Sequence, residues 1–271
     1  MHIEVHFSEK DWARVEGAWT AWWSGELERP LVMLEGLLPP GGLEISNILD
    51  LGPPVTTFPL EWSIDQILDY YEVRLGAKRF YGDAWPKWWP NFGPGILAGF
   101  LGARVHATAG TTWFEPAEVV PITGLNPAHD PDNGWWQRVW ELTRMAVERW
   151  GSRVAVGHTD LGGNLDVLAS LLLTERLLFD LSDHPEEVAR LSGSITQLWL
   201  RYYDELHALV EPAGRGTTPW AAIWSPLRCY MLQSDFAYMI SPRMFERYVL
   251  PDIAACCEAL DHAFYHLDGI G

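Results

Sequence analysis

Residues 232–269 read LQSDFAYMISPRMFERYVLPDIAACCEALDHAFYHLDG, and this stretch decides the predicted fold. The pair Ser241-Pro242 is typical of a helix start, and Phe245 and Tyr248 follow at apolar helical spacing. Residues 263–267 then predict a short strand that ends in a polar run. A helix leading into such a strand favours a parallel α/β sheet or barrel, whose functional side chains lie at the carboxyl ends of the strands.

The rest of the chain repeats this alternation of helix and strand. Ser8 predicts the start of a helix that Pro30 ends, and the run from Pro39 to Gly42 predicts a turn. Apolar periodicity predicts further helices over residues 63–76, 133–150, 165–181 and 184–210. Short buried strands are predicted at residues 31–34, 80–82, 154–157, 219–224 and 263–267. No repeat or linker divides the chain, so residues 1–271 are predicted to form one domain.

The composition excludes several classes of partner. The 36 acidic and 19 basic residues leave a net charge of −17, which opposes binding to nucleic acid and to anionic lipid surfaces. The three cysteines have no CxxC spacing, and the N-terminus lacks the pattern of a signal peptide. No apolar run reaches the roughly 18 residues that cross a membrane. These features predict a soluble cytoplasmic protein that acts on a small molecule.

Polar residues follow the predicted strands, and a parallel barrel would bring them to one mouth. They are the candidate catalytic residues Asp83, His158, Asp160, Asp235 and His266, together with Ser234 and Asp268. An aspartate that follows a strand caps a helix more often than it catalyses, so the argument depends on their convergence rather than on any one of them. We therefore expect a shared pocket at the strand ends.

Two groups within this set suggest a ligand. Trp85, Trp88 and Trp89 lie beside Asp83 and predict either an aromatic wall for a flat or cationic substrate or the packing of a long loop. His266 and Asp268 lie on one side of a strand, because side chains alternate with a period of two. This pair predicts either two metal ligands or a hydrogen-bonded pair.

The stretch from residue 232 resembles the uroporphyrinogen decarboxylase superfamily, on the strength of Ile240-Ser241-Pro242, Phe245 and Leu250-Pro251. Weaker matches are Tyr81-Gly82-Asp83 and Val156-Gly157. The resemblance implies a (β/α)8 TIM-type barrel, here incomplete with about five barrel strands, in a natural gene product longer than 271 residues. It also implies a substrate-contacting aspartate at Asp83 and a substrate-binding hydroxyl at Ser234. Tyr238, in the same stretch, is predicted to contact substrate.

The superfamily contains decarboxylases of uroporphyrinogen and cobamide-dependent methyltransferases. Its decarboxylases carry an arginine-bearing segment after the first strand, whereas residues 33–37 here are Met-Leu-Glu-Gly-Leu. Its methyltransferases bind zinc through an H-x-C pair, and here Asp268 replaces that cysteine after His266. The resemblance therefore predicts a methyltransferase-like enzyme for a small methylated substrate, with zinc and a corrinoid carried by a partner protein as the expected cofactors. The alternatives are a uroporphyrinogen decarboxylase and a non-catalytic ligand-binding barrel.

Overall fold

A computed structural model of the chain describes residues 4–37, 53–59, 61–108 and 110–268. The predicted turn from Pro39 to Gly42, and Gly269 at the end of the predicted strand, lie outside these residues. The helices are α1 Glu9–Trp23, α2 Ile64–Ala77, α3 Leu97–Phe100, α4 Gly134–Trp150, α5 Asn164–Leu172, α6 Thr174–Asp183, α7 Pro185–Val210, α8 Pro242–Tyr248 and α9 Leu250–Ala259. The strands are β1 Met33–Leu37, β2 Lys78–Gly82, β3 Lys87–Trp88, β4 Arg104–Ala107, β5 Thr112–Glu115, β6 Ala155–Val156, β7 Cys229–Gln233 and β8 His262–His266.

The predicted helix starts are confirmed by their capping side chains. The Ser8 hydroxyl accepts the Asp11 backbone N–H, and the Asp11 carboxylate accepts the Ser8 backbone N–H. Ser241 likewise caps α8 by accepting the backbone N–H of Met244. Each cap satisfies an N–H group that the first helical turn leaves without a partner, which is why these helices begin where they do.

Strands β7 and β8 run parallel, with Cys229 opposite His262 and Gln233 opposite His266. Helices α8 and α9 lie between them, so the helix and the following strand that are predicted from residues 232–269 are confirmed, whereas β7 itself was not predicted as a strand. Strands β3 and β6 form a second parallel pair, while β1–β2 and β4–β5 are antiparallel. The described strands form separate two-stranded sheets that do not close into a barrel, so the chain is a mixed α/β protein and the TIM-type barrel is not confirmed.

The core lies around α7, whose buried residues include Trp199, Tyr202 and Tyr203. A second apolar cluster joins α1 to the strands through Trp12, Trp19 and their neighbours. The excess of tryptophan serves this packing, because eight of the sixteen indoles are buried. Those eight are Trp12, Trp19, Trp85, Trp88, Trp136, Trp150, Trp199 and Trp224. Among the described residues, no helix combines the length and apolar character needed to span a bilayer.

Two strand predictions differ from the structure. The apolar run 31–34 overlaps β1, so a strand is present there, but it pairs antiparallel with β2 and leaves the Leu34 side chain 59% exposed, so it is not the buried strand that was predicted. Residues 219–224 form bends rather than a strand, inside a loop closed by the pairing of Thr217 with Ser225. The strand that does form in this part of the chain is β7, which begins five residues after the end of the predicted strand.

The predicted helix over residues 165–181 is also wrong as a single helix. It breaks into α5 and α6 at Leu173, whose φ of 81° lies in the left-handed region. A side chain with a Cβ is strained there, and Leu173 is the sole non-glycine with positive φ among the described residues.

Replacing Leu173 by glycine should stabilise the protein by about 1 kcal/mol, because glycine adopts positive φ without steric cost. The free energy of unfolding from urea titration measures this. Leu173→Ala is the matched control, since it shortens the side chain and keeps the Cβ. Equal stability of the two variants would contradict the assignment of strain to this backbone position.

Candidate functional site

The segment after β6 is held against β7 by one buried hydroxyl. Tyr230 on β7 donates to the Thr159 carbonyl oxygen and accepts the Leu161 N–H, both at 2.8 Å. The Tyr230 side chain is buried, so neither bond competes with bulk water. The carboxyl ends of β6 and β7 therefore meet, as the sequence predicted for strand-end residues in this part of the chain.

Two glycines permit this close approach. A Cβ on Gly163 would lie 2.3 Å from the Gln233 carbonyl oxygen, and a Cβ on Gly162, whose φ is +76°, would lie 2.8 Å from the Gly95 Cα. Any side chain at either position would push the segment away from β7 or from Gly95. The glycine-rich run after β6 thus serves backbone packing.

Asp160 lies inside this contact. One of its carboxylate oxygens accepts the Gly162 N–H at 2.9 Å and lies 3.3 Å from the Gln233 amide nitrogen, which donates to it. Burial raises the Asp160 pKa to about 7, and the charges of Asp235 and Asp166 add to the increase. This carboxyl group can therefore exchange a proton near neutral pH, and it also ties the two strand ends together.

Asp166 was not singled out from the sequence. It lies in the first turn of α5, where its carboxylate accepts the backbone N–H groups of Phe236 at 2.7 Å and Asp235 at 3.1 Å. Burial raises its pKa to about 6, against the opposing effect of these two bonds. Asp166 consequently fixes the turn that carries Asp235. An acidic residue at a helix start is the only sequence signal for it, and that signal is common.

A cavity of about 480 Å³ opens at these strand ends. Asp235 is exposed beside it, and its pKa is raised by partial burial and by the charge of Asp268, while His266 acts in the opposite direction. The acidic and aromatic residues that line the cavity are Glu115, Asp166, Glu175, Asp235, Trp113, Phe114 and Phe236. The structure thus brings Asp235 close to Asp160 and to the β8 end, while the catalytic roles of these residues stay a prediction.

The end of β8 borders a second cavity, of about 580 Å³, lined by the predicted residues Ser234, Tyr238 and Asp268. The His266 ring contacts Trp220 edge to face, with 5.5 Å between ring centroids. No three histidine, cysteine or acidic side chains of the described residues group in a way that could hold a metal. A catalytic zinc takes three protein ligands, so His266 and Asp268 alone do not complete the predicted zinc site.

His158 does not join the cavity. Its ring stacks on Tyr203, with 4.7 Å between centroids, and lies near His207 on α7. Burial lowers the His158 pKa to about 3, with smaller contributions from His207 and Arg228. Neither ring nitrogen has a hydrogen-bond partner among the described residues. His158 is therefore a neutral core ring, and its predicted convergence with the other polar residues is wrong.

Asp83 also lies apart from the cavity. Its buried carboxylate accepts two bonds from Arg29, at 2.6 and 2.7 Å, and the Val32 N–H at 2.8 Å. The Arg29 bond is the main cause of a lowered Asp83 pKa. Asp83 therefore ties the segment before β1 to the end of β2, and these contacts, rather than a substrate, occupy its carboxylate.

The three tryptophans beside Asp83 do not form one wall. Trp85 packs on Trp19, with 5.3 Å between centroids, whereas Trp88 packs on Trp150 in the main core. Trp89 lines a small pocket together with Trp88. Successive positions of the loop and β3 point in different directions, so neighbours in sequence are separated in space.

Comparison with known proteins finds similarity in three-dimensional structure. No family model and no curated protein matches the sequence. Among solved structures, a methyltransferase from Methanosarcina mazei is similar, with a TM-score of 0.50 and 13% sequence identity. The likeness covers 68% of this chain and 51% of that protein, so the chain spans about half its length. The chain thus shares its fold with part of that protein, while membership of the uroporphyrinogen decarboxylase superfamily stays a prediction.

Replacing Tyr230 by phenylalanine should lower the free energy of unfolding by about 1–3 kcal/mol, because a buried carbonyl and a buried N–H both lose their partner. Urea titration at pH 7 measures the loss. Tyr203→Phe is the control, since it removes one bond of 3.3 Å to the Cys229 carbonyl. A smaller effect for Tyr230→Phe than for the control would contradict the role assigned to the Tyr230 hydroxyl.

Asp83→Asn should also destabilise the protein by about 1–3 kcal/mol at pH 7. Because the folded pKa of Asp83 is lowered, its contribution is complete above the ordinary carboxyl pKa near 3.9 and disappears as the pH falls through the folded pKa. The difference between wild type and variant should therefore shrink below about pH 4. Glu28→Gln on the surface is the control, and a difference independent of pH would contradict the ion pair.

Proposed function

We propose that the chain is a methyltransferase-like enzyme whose cavity of about 480 Å³ takes a small methylated ammonium compound. The observation that carries this proposal is the charge of the cavity wall. Glu115, Asp166, Glu175 and Asp235 line it, and no lysine or arginine of the described residues does. A wall with acidic groups and no basic ones attracts a cation and repels a polycarboxylate.

The aromatic side chains support the same substrate class. The Trp113 side chain is 62% exposed on β5 and borders the cavity together with Phe114. An indole face within about 6 Å of a quaternary ammonium attracts it, by about 0.5–1 kcal/mol at an exposed site. The exposed Trp113 ring therefore contributes little to packing and is available to contact a ligand.

The residues have distinct parts in this proposal. Asp235 offsets the positive charge of the substrate, and Asp166 positions the turn that carries Asp235. In the transfer, the nitrogen keeps the bonding electron pair and the methyl group passes to a nucleophile. The resemblance in sequence implies a corrinoid carried by a partner protein, which would supply the methyl acceptor.

A second candidate function is ligand binding without catalysis. It is favoured by the pair His266 and Asp268, which lacks a further metal ligand among the described residues. The uroporphyrinogen decarboxylase alternative is disfavoured, because the acidic wall would repel the carboxylates of its substrate.

Calorimetric titration with choline tests the proposed substrate class, and 3,3-dimethylbutan-1-ol is its uncharged counterpart of nearly the same shape. Choline should bind to the wild-type chain and the alcohol should bind at least about fivefold more weakly, since a charge contact contributes on the order of 1 kcal/mol even when it is fully screened by water. Binding should weaken as the pH falls through the raised pKa of Asp235, because protonation removes its charge.

Asp235→Asn should weaken choline binding about fivefold, and Trp113→Ala about twofold to fivefold. Glu258→Gln changes an exposed acid on α9 and should leave the affinity unchanged. Equal affinity for choline and the alcohol, or tight binding of uroporphyrinogen with none of choline, would overturn the proposal.

A further inference from the structure

The acidic cavity of about 480 Å³ carries its charge at the mouth. Its exposed lining residues, which form the mouth, include Glu115, Glu175 and Asp235 and the Trp113 indole. One Glu115 carboxylate oxygen lies 3.4 Å from the His106 Nε2, whereas no basic side chain of the described residues pairs with Glu175 or Asp235. A cation that enters the cavity therefore meets two unpaired carboxylates before it reaches the interior.

The interior of the cavity is mostly uncharged. Its buried lining residues include Ala169 on α5, which is 8% exposed, and Phe236, which is 2% exposed, together with Gly95 and Gly162. Among the acidic lining residues that the structure describes, Asp166 alone is not exposed. One of its oxygens already accepts the backbone N–H of Phe236 and the other that of Asp235. The interior thus offers apolar surface, and its carboxylate is engaged with the backbone.

This difference between mouth and interior orients a ligand that has one charged and one apolar end. Moving an ammonium group into the apolar interior would cost its hydration, whereas at the mouth it stays partly hydrated beside Asp235 and Trp113. An apolar group is stabilised in the interior, because its surface is removed from water. The charged end therefore remains at the mouth and the apolar end points inward.

The volume of the cavity also calls for more than an ammonium head group. Sites of about 300–1,000 Å³ hold ligands of the size of a drug, and about 480 Å³ lies within that range. A compound as small as choline would leave much of the interior next to Ala169 and Phe236 unfilled. A ligand that fills the space buries more apolar surface and gains affinity from it.

We propose that the substrate of this cavity is a methylated ammonium compound whose nitrogen carries an apolar arm of about the size of a phenyl ring. The ammonium lies at the mouth between Trp113 and Asp235, and the arm enters the interior against Ala169 and Phe236. A carboxylate on the arm is excluded, because no lysine or arginine of the described residues lines the cavity. This inference rests on the proposed function and names the substrate class more narrowly.

The test is calorimetric titration of the wild-type chain with tetramethylammonium, choline and benzyltrimethylammonium, which differ in the arm and share the charge. Benzyltrimethylammonium should bind at least about tenfold more tightly than the other two, because its ring is removed from water. Glycine betaine, whose arm ends in a carboxylate, should bind more weakly than choline.

Ala169→Leu tests the position of the arm, because the larger side chain fills the interior. It should lower the ratio of benzyltrimethylammonium to tetramethylammonium affinity at least about fivefold. Ala189→Leu is the matched control, since Ala189 is a partly buried alanine on α7 that does not line the acidic cavity, and it should leave the ratio unchanged. Trp113→Ala should weaken both ligands by the same factor, because the indole contacts the shared ammonium.

The outcomes separate this inference from the proposed function. If benzyltrimethylammonium binds no more tightly than tetramethylammonium while choline still binds, the apolar arm is wrong and the proposed function stands. The same conclusion follows if a folded Ala169→Leu variant keeps the wild-type ratio. Because a larger core side chain can destabilise the fold, the wild-type ligand series decides the question even if that variant does not fold. Absence of binding by all three cations would contradict both proposals.

Discussion

The contact between the end of β6 and the strand β7 depends on the Tyr230 hydroxyl, which satisfies one carbonyl and one N–H of the Thr159–Leu161 segment. Backbone groups that lie beyond the end of a strand and remain buried need hydrogen-bond partners, because an unpaired buried N–H or carbonyl group destabilises the fold. Tyr230 supplies both partners with one atom. Gly162 and Gly163 allow the segment to approach closely, and the position of the Asp160 carboxylate follows from that approach.

The same contact organises the acidic cavity. Asp166 can reach the N–H groups of Asp235 and Phe236 because α5 begins against the carboxyl end of β7. Burial then raises the pKa values of Asp160 and Asp166 toward neutrality. Groups that serve as structural partners are therefore also the groups whose protonation changes near physiological pH, which links the stability of this edge to its chemistry.

Charge is segregated within the molecule. The cavity at the β6 and β7 ends has acidic walls, whereas the pocket beside β3 collects two of the three lysines. Trp220 connects the pocket beside β3 with the end of β8, since its ring borders that pocket and contacts His266 on β8. The net charge of −17 therefore does not predict the local charge of either the cavity or the pocket. Local fields depend on which side chains face one another, and binding follows the local field.

The sequence by itself determined the helix starts at Ser8 and Ser241 and the strand β8, because capping and apolar periodicity are local properties. It also placed Asp160, Asp235, His266 and Asp268 at strand ends. Only the tertiary structure decided which strand-end residues meet. His158 turns into the core against Tyr203, Asp83 is occupied by Arg29, and Lys87 gains a pocket. These outcomes depend on contacts between residues distant in sequence, which no local pattern encodes.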